Sequence, residues 1–408
     1  MDNAPRGGGN RPVSGNSAFE KRVRRHVIGR LRPYFAAAAP GFESVLSEEL
    51  RRLKVGEGAV KAVPGGVEFE GRLIDCWRAN LQLRTAGRVL LRIETFRAAR
   101  FDRMAACLAE VPWELYLPAD AVPMVSVTAR RCRLHHSDAI AERTATAVRN
   151  RLDGTAGDIG ETEATGGIAQ RLFVRGIDDV FTVSADSSGE NLYKRGIKIQ
   201  GGPAPLRETL AAAALNLAGY SGQEPLIDPM CGTGTFSLEA ALMAANIPTG
   251  LSRPFAFMGW PSFLPRRWDH LEREAAAARR TVPEPVVFAS DISEKSCHLL
   301  EKTIHGQRLS DIVQVAHKDF FGFAPEEMTP KRGTLALNPP YGRRLGGVGE
   351  SDALFREICR KLRDDYRGWR LVLIAPRDDL VREVPFSGNV LPFRHGGGRR
   401  LLLTGRII

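Results

Sequence analysis

A short stretch late in the chain, "TLALNPPYGRRL" at residues 334–345, joins an apolar run to an amide, two prolines and an aromatic ring. The side-chain oxygen of Asn338 and the carbonyl of Pro339 can both accept hydrogen bonds from an exocyclic amine, and the prolines fix the backbone that carries them. Tyr341 offers a face on which a flipped base can stack. The stretch therefore predicts chemistry on an exocyclic amine, with proximity rather than a strong base supplying the catalysis. The alternative is a rigid turn, because Pro-Pro also stops a strand.

Three acidic residues precede this motif, each at the end of a stretch with the composition of a buried strand. Asp228 ends "EPLID", Asp291 ends "VVFASD" and Asp319 ends "VQVAHKD". A carboxylate at position 228 would repel a pyrophosphate but suits an ammonium group, such as the one on the methionine part of S-adenosylmethionine. Asp291 could accept both ribose hydroxyls, and Asp319 could accept from an adenine amine while Phe320 packs nearby. One acid at a strand end is common, but three in succession ahead of Asn338 are much harder to explain as packing.

The turn after the first of these strands, "DPMCGTGTF", is rich in glycine. Gly232 and Gly234 carry no Cβ, so the backbone could approach a ligand closely. The spacing differs from the G-x-G-x-x-G of a dinucleotide site, and the acid at position 228 also disfavours a nicotinamide-dependent oxidoreductase.

Strands and helices alternate from residue 186 onward, which predicts a doubly wound, mostly parallel sheet with ligands at the carboxyl ends of its strands. The predicted strands are "EPLIDPM", "PVVFASDI", "IVQVAHKDFF", "GTLALNPPY" and "RLVLIAP". The predicted helices are "RETLAAAALNLAGY", "SLEAALMAANI", "EKSCHLLEKTIHGQRL" and "DALFREICRKLRDDY".

Residues 30–185 predict an α+β unit. Tyr34–Ala38, "GGVEFEG" and Val125–Ala129 have strand patterns, and Ser137 is a good N-cap for the helix that follows. One face of that helix should be buried, with the side chains of Ile140, Thr144, Ala147 and Val148.

A basic strand end stands just before this helix, with Arg130, Arg131 and Arg133. Such an end beside a helix N-terminus could seat a phosphate group. A solvated edge is the alternative, and the residues alone leave both open.

The amino-acid composition indicates what class of partner the protein binds and where in the cell it is expected. The 408 residues include 58 Lys and Arg against 47 Asp and Glu, a formal net charge of +11, which favours a polyanionic partner. Residues 1–29 predict a disordered basic arm. The six scattered cysteines form no C-x-x-C pair, so they indicate neither a metal site nor a disulfide framework. With no long apolar run and no secretory leader, a cytoplasmic protein without a membrane segment is expected.

Several short segments of the sequence resemble those of the THUMP-domain RNA methyltransferases of the N2-guanine type, in particular the bacterial 23S ribosomal RNA enzymes whose N-terminal half carries this activity. The resemblance extends from Tyr34 onward. Its marks are "GFESVLSEEL", "GGVEFEG", "CRLHHSDAIAERTATAV", "NLYKRGIKIQGGPAPLRETLAAAAL", "LIDPMCGTGTFSLEAALMAANIPTG", "FAFMGWPSF", "ASDIS" and "LNPPYGRRL".

The resemblance implies a ferredoxin-like and THUMP RNA-binding module over residues 30–185 and a class I, Rossmann-like S-adenosylmethionine-dependent methyltransferase domain over residues 186–408. It also implies roles for individual residues. The cofactor would contact Asp228, Met230, Gly232, Gly234, Asp291, Asp319 and Asn338, together with Arg195, Pro205, Leu206 and Glu208. The target base would contact Asn338, Pro339 and Tyr341, and RNA phosphates would contact Arg343 and Arg344 as well as Arg130, Arg131 and Arg133.

The expected function is methylation of the exocyclic N2 amine of a guanosine in structured RNA, 23S ribosomal RNA first and transfer RNA as an alternative, by a monomer or homodimer that needs no metal. Adenine N6 methylation and a non-catalytic RNA-binding assembly factor remain alternatives, because the Asn-Pro-Pro-Tyr motif suits any planar exocyclic amine. The long insert between Asp228 and Asp291 is shared with the family. Since no second methyltransferase module follows "RRLLLTGRII", one methylation is expected.

Overall fold

The computed structural model describes residues 17–56, 58–159, 168–198, 206–340, 348–396 and 398–408. These residues build two seven-stranded sheets, one in each half of the chain. The first half contains α1 (Ser17–Val23), β1 (Arg32–Ala37), α2 (Glu43–Arg52), β2 (Lys61–Val63), β3 (Gly66–Gly71), α3 (Leu73–Gln82), β4 (Arg88–Arg97), α4 (Phe101–Glu110), β5 (Val122–Arg130), α5 (Ser137–Ile159), β6 (Ala169–Ile177) and β7 (Val180–Asp186).

The second half contains α6 (Glu208–Leu217), β8 (Leu226–Asp228), α7 (Thr235–Ala244), α8 (Pro265–Ala277), β9 (Val287–Asp291), α9 (Glu294–Gly306), β10 (Val313–His317), β11 (Thr334–Leu337), α10 (Val348–Asp365), β12 (Arg370–Ala375), α11 (Asp378–Val381), β13 (Phe386–His395) and β14 (Gly398–Ile407). Short 3-10 turns stand at Trp113–Leu115, Ala256–Gly259, Phe320–Gly322 and Pro325–Glu327. No helix in the described ranges has the length and apolar character that a bilayer crossing requires.

The first sheet has the order β2-β3-β1-β4-β7-β6-β5 and is antiparallel except for the β5–β6 pair. More and less exposed side chains alternate along β5 and β6, because successive side chains of a strand point to opposite faces of the sheet. Tyr34 and Ala36 of β1 lie opposite Phe69 and Val67 of β3, and all four are buried in one core with the apolar sides of α2 to α5.

The second sheet has the order β10-β9-β8-β11-β12-β14-β13. Strands β8 to β12 pair with one another in parallel, while β14 runs antiparallel to both β12 and β13. The strand order reverses between β8 and β11, which are adjacent, and in open α/β sheets this is where ligands bind. The doubly wound, Rossmann-like sheet that the sequence predicts is therefore confirmed.

The long insert between α7 and β9 packs on the core of the first sheet. Phe255, Phe257, Trp260 and Trp268 are all buried in that core, and the ring of Phe257 stacks on that of Trp77 with centroids 5.7 Å apart. A division of the chain at residue 186 thus assigns to the second unit a segment whose side chains are buried in the first.

Three further features differ from the sequence-based expectations. The disordered arm over residues 1–29 is wrong for Ser17–Ile28, which is helical and buries Val23 and Val27, because apolar side chains recur there at intervals of four. Helix α8 and the antiparallel hairpin of β13 and β14 were not predicted.

Pro205, Tyr341, Arg343 and Arg344 lie outside the described residues.

Candidate active site

A cavity of about 470 Å³ opens at the carboxyl ends of β8 to β11, where the parallel strands bring their terminal side chains to one edge. That volume lies within the range usual for small-molecule sites. Of the residues predicted to bind the cofactor or the base, seven line it: Leu206, Asp228, Met230, Gly232, Asp291, Asp319 and Asn338. The cavity is further lined by Pro229, Cys231, Thr233, Thr235, Phe236, Ile292, Ser296, Phe320, Phe321, Pro340 and Leu354.

Asp228 is the most buried of the three acids, with 1% of its surface exposed. Its Oδ2 accepts hydrogen bonds from the backbone N–H and the hydroxyl of Ser237, at 3.2 and 2.7 Å. Burial raises the pKa of Asp228 to about 7, against the lowering effects of the Ser237 bonds and the charge of Lys198, while the charge of Asp291 raises it further. A cationic group entering the cavity would therefore stabilise the ionised carboxylate.

The two glycines of the turn have different surroundings. Gly232 has φ +52°, and a Cβ added to it would have no atom within 4 Å, so its backbone borders open space. Gly234 has φ +76° and forms the N-cap of α7, where a Cβ would lie 2.3 Å from Cδ1 of Leu300 on α9. Gly232 thus borders the cavity, whereas Gly234 lets α7 pack against α9 and is not among the lining residues.

The carboxylate of Asp291 holds the glycine-rich turn in place. Its Oδ2 accepts from the backbone N–H of Gly232 at 2.8 Å, and its Oδ1 accepts from the backbone N–H of Ser293 at 2.9 Å. Each carboxylate oxygen has two lone pairs, so one acceptor position remains on each for ribose hydroxyls.

Asp319 stands at the outer rim, where its Oδ1 accepts from the backbone N–H of Phe321 at 3.1 Å. Two apolar side chains near the acids, Ile292 and Phe321, were not predicted. They are 71% and 36% exposed and both line the cavity, where they could cover the faces of a planar ring. The sequence signal was available, since each follows a strand-end acid by one or two positions.

Asn338 carries an unused acceptor. Its Oδ1 is buried and has no donor among the residues that the structure describes. Because an unpaired buried acceptor costs about 1 to 3 kcal/mol, such an atom points to a ligand that would supply the donor. Pro339 is buried beside it and Pro340 lines the cavity.

The expectation that Arg195 and Glu208 line the cofactor pocket is corrected by the structure. Arg195 is 3% exposed and forms an ion pair with the buried Glu239 of α7, with Nε and Oε1 3.0 Å apart. Glu208 pairs with Nζ of Lys198 at 2.9 Å, and Lys198 in turn donates to the hydroxyl of Thr235 at 2.8 Å. Both residues therefore support the wall from behind rather than form it.

The three arginines predicted as a phosphate seat differ in their partners. Arg131 pairs with Asp178 at 2.7 Å and Arg133 pairs with Asp179 at 3.7 Å. Both aspartates lie in the turn between β6 and β7. Arg130 is exposed and has no ion-pair partner within the described part of the chain. The two carboxylates neutralise most of the local charge, so only Arg130 keeps the expected character.

The sheet order, with its antiparallel β14 between β12 and β13, and the cavity at the switch point with a buried acid and an orphaned amide define a Rossmann-like methyltransferase. Comparison with known proteins agrees. The family described as RMKL-like, methyltransferase domain matches residues 195–385, and the RlmL ferredoxin-like domain matches residues 33–90.

Two curated relatives and one solved structure illustrate the similarity. The ribosomal RNA large subunit methyltransferase K/L of Magnetococcus marinus is 33% identical over 83% of this chain and 47% of its own length. A putative RNA methyltransferase of Synechocystis is 30% identical over 90% of this chain and 94% of its own length. The crystal structure of SMU.472, a putative methyltransferase complexed with SAH, is 25% identical with a TM-score of 0.81, covering 93% of this chain and 99% of that one.

The chain belongs to the RMKL-like methyltransferase family, with an RlmL ferredoxin-like domain at its N-terminal end, and its cofactor is S-adenosylmethionine. It spans about half the length of several of the curated relatives that it matches, the K/L enzymes.

Proposed function

We propose that this chain transfers a methyl group from S-adenosylmethionine to the exocyclic N2 amine of a guanosine in RNA, with 23S ribosomal RNA as the substrate. The observation that carries the proposal is the buried, unpaired Oδ1 of Asn338 in the wall of a cavity whose other polar groups suit the cofactor.

The cofactor half of the site rests on the three acids. Asp228 would pair with the ammonium group of the methionine end, beside Met230 and the open backbone of Gly232. Asp291 would accept the ribose hydroxyls through its free lone pairs, and Asp319 would accept from the adenine amine. The cofactor supplies an electrophilic methyl group when it is bound.

The substrate half rests on Asn338 and the prolines. Oδ1 of Asn338 and the carbonyl oxygen of Pro339 would each accept one N–H of the target amine, which directs the nitrogen lone pair toward the methyl group. Tyr341 lies outside the described residues and is proposed as the stacking partner of the base on its sequence position alone. The amine proton is released after methyl transfer, so no strong base is needed.

RNA as the substrate is supported by the names of the relatives and by charge. The relatives are named as ribosomal RNA large subunit methyltransferases and as putative RNA methyltransferases. The formal net charge of +11 suits a polyanionic partner. A cytoplasmic location follows from such a substrate and is part of the proposal.

Nucleoside mass spectrometry of 23S ribosomal RNA and transfer RNA from a strain that lacks the gene tests this proposal. N2-methylguanosine should fall in the ribosomal pool and return when the parental gene is restored. A fall in transfer RNA alone would move the substrate to transfer RNA, and a fall in N6-methyladenosine would move the target to adenine. If N2-methylguanosine is unchanged in both RNA pools and N6-methyladenosine is unchanged as well, the methyltransferase proposal is refuted and a non-catalytic RNA-binding factor is favoured.

A further inference from the structure

A second cavity, of about 370 Å³, lies where the first half of the chain meets the second. Helices α2 and α3 border it from one side, and α6, α7 and α8 border it from the other. We call it the junction cavity; the lining residues that matter below are Arg52, Arg84, Tyr220, Met243 and Arg280. It shares no described lining residue with the cavity at the strand ends, and its volume is within the range usual for small-molecule sites.

Three arginines line the junction cavity, and in the described part of the chain their guanidinium groups donate only to uncharged oxygens. Nη2 of Arg84 donates to two backbone carbonyls at and beyond the end of α7, at 3.0 and 2.8 Å. Nη2 of Arg280 donates to the carbonyl of Met243 at 2.6 Å. Nη2 of Arg52 donates to Oδ1 of Asn216 at 3.2 Å. None of the three charges is therefore neutralised by an ion pair with a described residue.

One carboxylate, that of Glu49, borders the same cavity, but other donors already occupy it. Oε1 of Glu49 accepts from the backbone N–H of Arg84 at 2.7 Å. Oε2 accepts from the backbone N–H and the hydroxyl of Thr85, at 3.0 and 2.6 Å. The lining thus sets three guanidinium groups against one carboxylate, which leaves an excess of positive charge.

Two buried donors on the wall of the junction cavity lack an acceptor. Nη1 of Arg84 and the hydroxyl of Tyr220 have no hydrogen-bond partner among the residues that the structure describes. Tyr220 is 3% exposed, and burial raises the pKa of its hydroxyl, so the group stays protonated and can donate. Because unpaired buried donors are costly, two of them on one cavity point to an acceptor that a ligand would supply.

The charge of Arg280 acts on both of these donors. Burial lowers the pKa of Arg84, against the opposite effect of the Glu239 and Glu49 carboxylates, and the like charge of Arg280 lowers it further. The same guanidinium group opposes the rise in the pKa of Tyr220. An anion bound among these groups would stabilise the charged form of Arg84.

We propose that the junction cavity binds a small molecule that carries a phosphate group, with the phosphate between the three guanidinium groups and the hydroxyl of Tyr220. Guanidinium groups bind phosphate oxygens through charge-assisted hydrogen bonds, and a phenolic hydroxyl adds a neutral donor. Apolar side chains complete the lining and would cover the carbon part of the ligand, among them Leu53, Pro248 and Ala278.

An RNA backbone is a competing source of phosphate. The donors that lack partners here are buried, however, and a buried donor suits a compact ligand that enters the cavity better than a polymer that runs over the surface. A bound ligand would contact helices of both halves, so it should also raise the Tm of the full chain by mass action.

Calorimetry on the full chain tests the proposal with inorganic phosphate, ribose 5-phosphate, adenosine 5′-monophosphate and adenosine. S-adenosylhomocysteine saturates the cavity at the strand ends during the titrations, so that the nucleotide cannot bind there. The phosphate-bearing probes should bind, the two esters more tightly because apolar side chains cover their carbon atoms, and adenosine should not bind. Equal affinity for inorganic phosphate and the esters would assign free phosphate as the ligand of the same site.

A double substitution, Arg52→Gln with Arg280→Gln, should weaken binding of ribose 5-phosphate at least about tenfold, because two cationic donors become neutral. The matched control, Arg51→Gln with Arg279→Gln, replaces the preceding residue in each case. Both control residues are exposed and lie outside the lining of the junction cavity, and the change of net charge is the same. The control should change the affinity less than twofold.

Tyr220→Phe removes one unpaired donor and keeps the ring. Without ligand, its Tm should equal or exceed that of the parent, because the variant no longer buries an unsatisfied hydroxyl. Its affinity for ribose 5-phosphate should fall about fivefold. A lower Tm together with parental affinity would show that the hydroxyl serves packing within the protein, and would overturn the proposal.

The proposal is also overturned if the parent binds none of the phosphate-bearing probes, if the double variant keeps parental affinity, or if the control loses as much. An excess of 23S ribosomal RNA should leave the Kd for ribose 5-phosphate within twofold. Displacement of the ester would assign the cavity to RNA phosphates and defeat the small-ligand proposal.

Methyl transfer measured on the same preparations separates this inference from the proposed function. A parent that methylates RNA but binds no phosphate-bearing probe defeats only the inference. A parent that binds ribose 5-phosphate in the junction cavity but methylates nothing defeats only the proposed function.

Discussion

Two acceptors in the cavity differ in what they lack. Asp228 has hydrogen-bond partners, but burial disfavours its charged form and raises its pKa to about 7, so it lacks a cation in contact with it. Asn338 needs no charge but has no donor for its Oδ1 among the described residues. An ammonium group of the cofactor and an exocyclic amine of the substrate would complete them in turn, at the ends of the adjacent strands β8 and β11.

Substitution of Asn338 should separate catalysis from cofactor binding. We expect Asn338→Ala to lower kcat by a factor of at least about 100, since the amine loses the acceptor that orients it, while the Kd for S-adenosylmethionine stays within twofold. Single-turnover kinetics measures the rate of methyl transfer, and calorimetry measures the Kd for S-adenosylmethionine.

Asp291→Ala is the matched comparison and should weaken the cofactor first, because it removes both the ribose acceptor and the bond to Gly232. Near-parental turnover by Asn338→Ala would show that the amine acceptor has been assigned to the wrong residue.

The buried carboxyl group gives cofactor binding a pH dependence. Because burial raises the pKa of Asp228 to about 7, most of the group is protonated at pH 5.5 and must lose its proton to pair with an ammonium. Affinity for S-adenosylmethionine should therefore rise about tenfold from pH 5.5 to pH 7, then level off as the free α-amino group itself begins to lose its proton near pH 8.

Calorimetry in buffers of different ionisation enthalpy measures both this affinity and the proton released. Asp228→Asn should bind more weakly at pH 7 and show a flat profile over the same interval. A parental profile that is equally flat would mean that Asp228 does not meet the cofactor's charge.

At the scale of elements, the glycine-rich turn combines two tasks that its residue pattern does not separate. Gly232 borders the cavity, and Gly234 allows α7 to approach α9. The backbone N–H of Gly232 donates to Asp291, which fixes the turn from the neighbouring strand β9. The parallel strands β8 to β11 thus position the acids, while helix packing positions the loop between them.

The two glycines should respond differently to alanine. Both have positive φ, so each substitution costs about 1 kcal/mol or more of backbone strain. Gly234→Ala should cost about 1 to 3 kcal/mol beyond that, because its Cβ would overlap Leu300. Denaturant unfolding of both variants measures the difference. Equal losses of stability would contradict the packing role of Gly234.

The sequence predicted the structure correctly where a local pattern suffices, such as an apolar run that forms a strand or an acidic residue at the end of one. The apolar runs of β8 to β12 and their terminal acids are local, and they predicted both the sheet and the position of the cavity at its strand ends, with seven of the residues that line it. The β13–β14 hairpin was missed because the outward residues of β13, such as Asn389 and Val390, are exposed without regular alternation. Arg195 was misplaced because its partner Glu239 lies on another element, and no local pattern reveals such a pair.

At the scale of the whole molecule, the insert joins the two halves. Its aromatic side chains are buried in the core of the first sheet, although the segment leaves and returns to the second. Arg84, between α3 and β4, donates to the carbonyls of Leu242 and Ile247 at 3.0 and 2.8 Å and so ties the first half to the end of α7. The first sheet and the cavity are thereby held in one assembly.

Removal of an aromatic side chain from the insert should loosen the first sheet. Phe257→Ala should cost about 3 to 5 kcal/mol, because the ring is fully buried against Trp77. Hydrogen exchange should then accelerate first in β4 and β7. Phe355→Ala, equally buried but in the second core, should accelerate β11 and β12 instead. The same pattern of exchange in both variants would show that the insert does not belong to the first core.

The proposed reaction is methyl transfer to an exocyclic amine of RNA that Asn338 holds in place. Its most direct test incubates the purified chain with S-adenosylmethionine carrying a deuterated methyl group and with 23S ribosomal RNA from a strain that lacks the gene, followed by nucleoside mass spectrometry. Deuterated N2-methylguanosine is expected with the parent, and Asn338→Ala should form it at a rate at least about 100-fold lower. Absence of label with the parent, or undiminished label with Asn338→Ala, would contradict it.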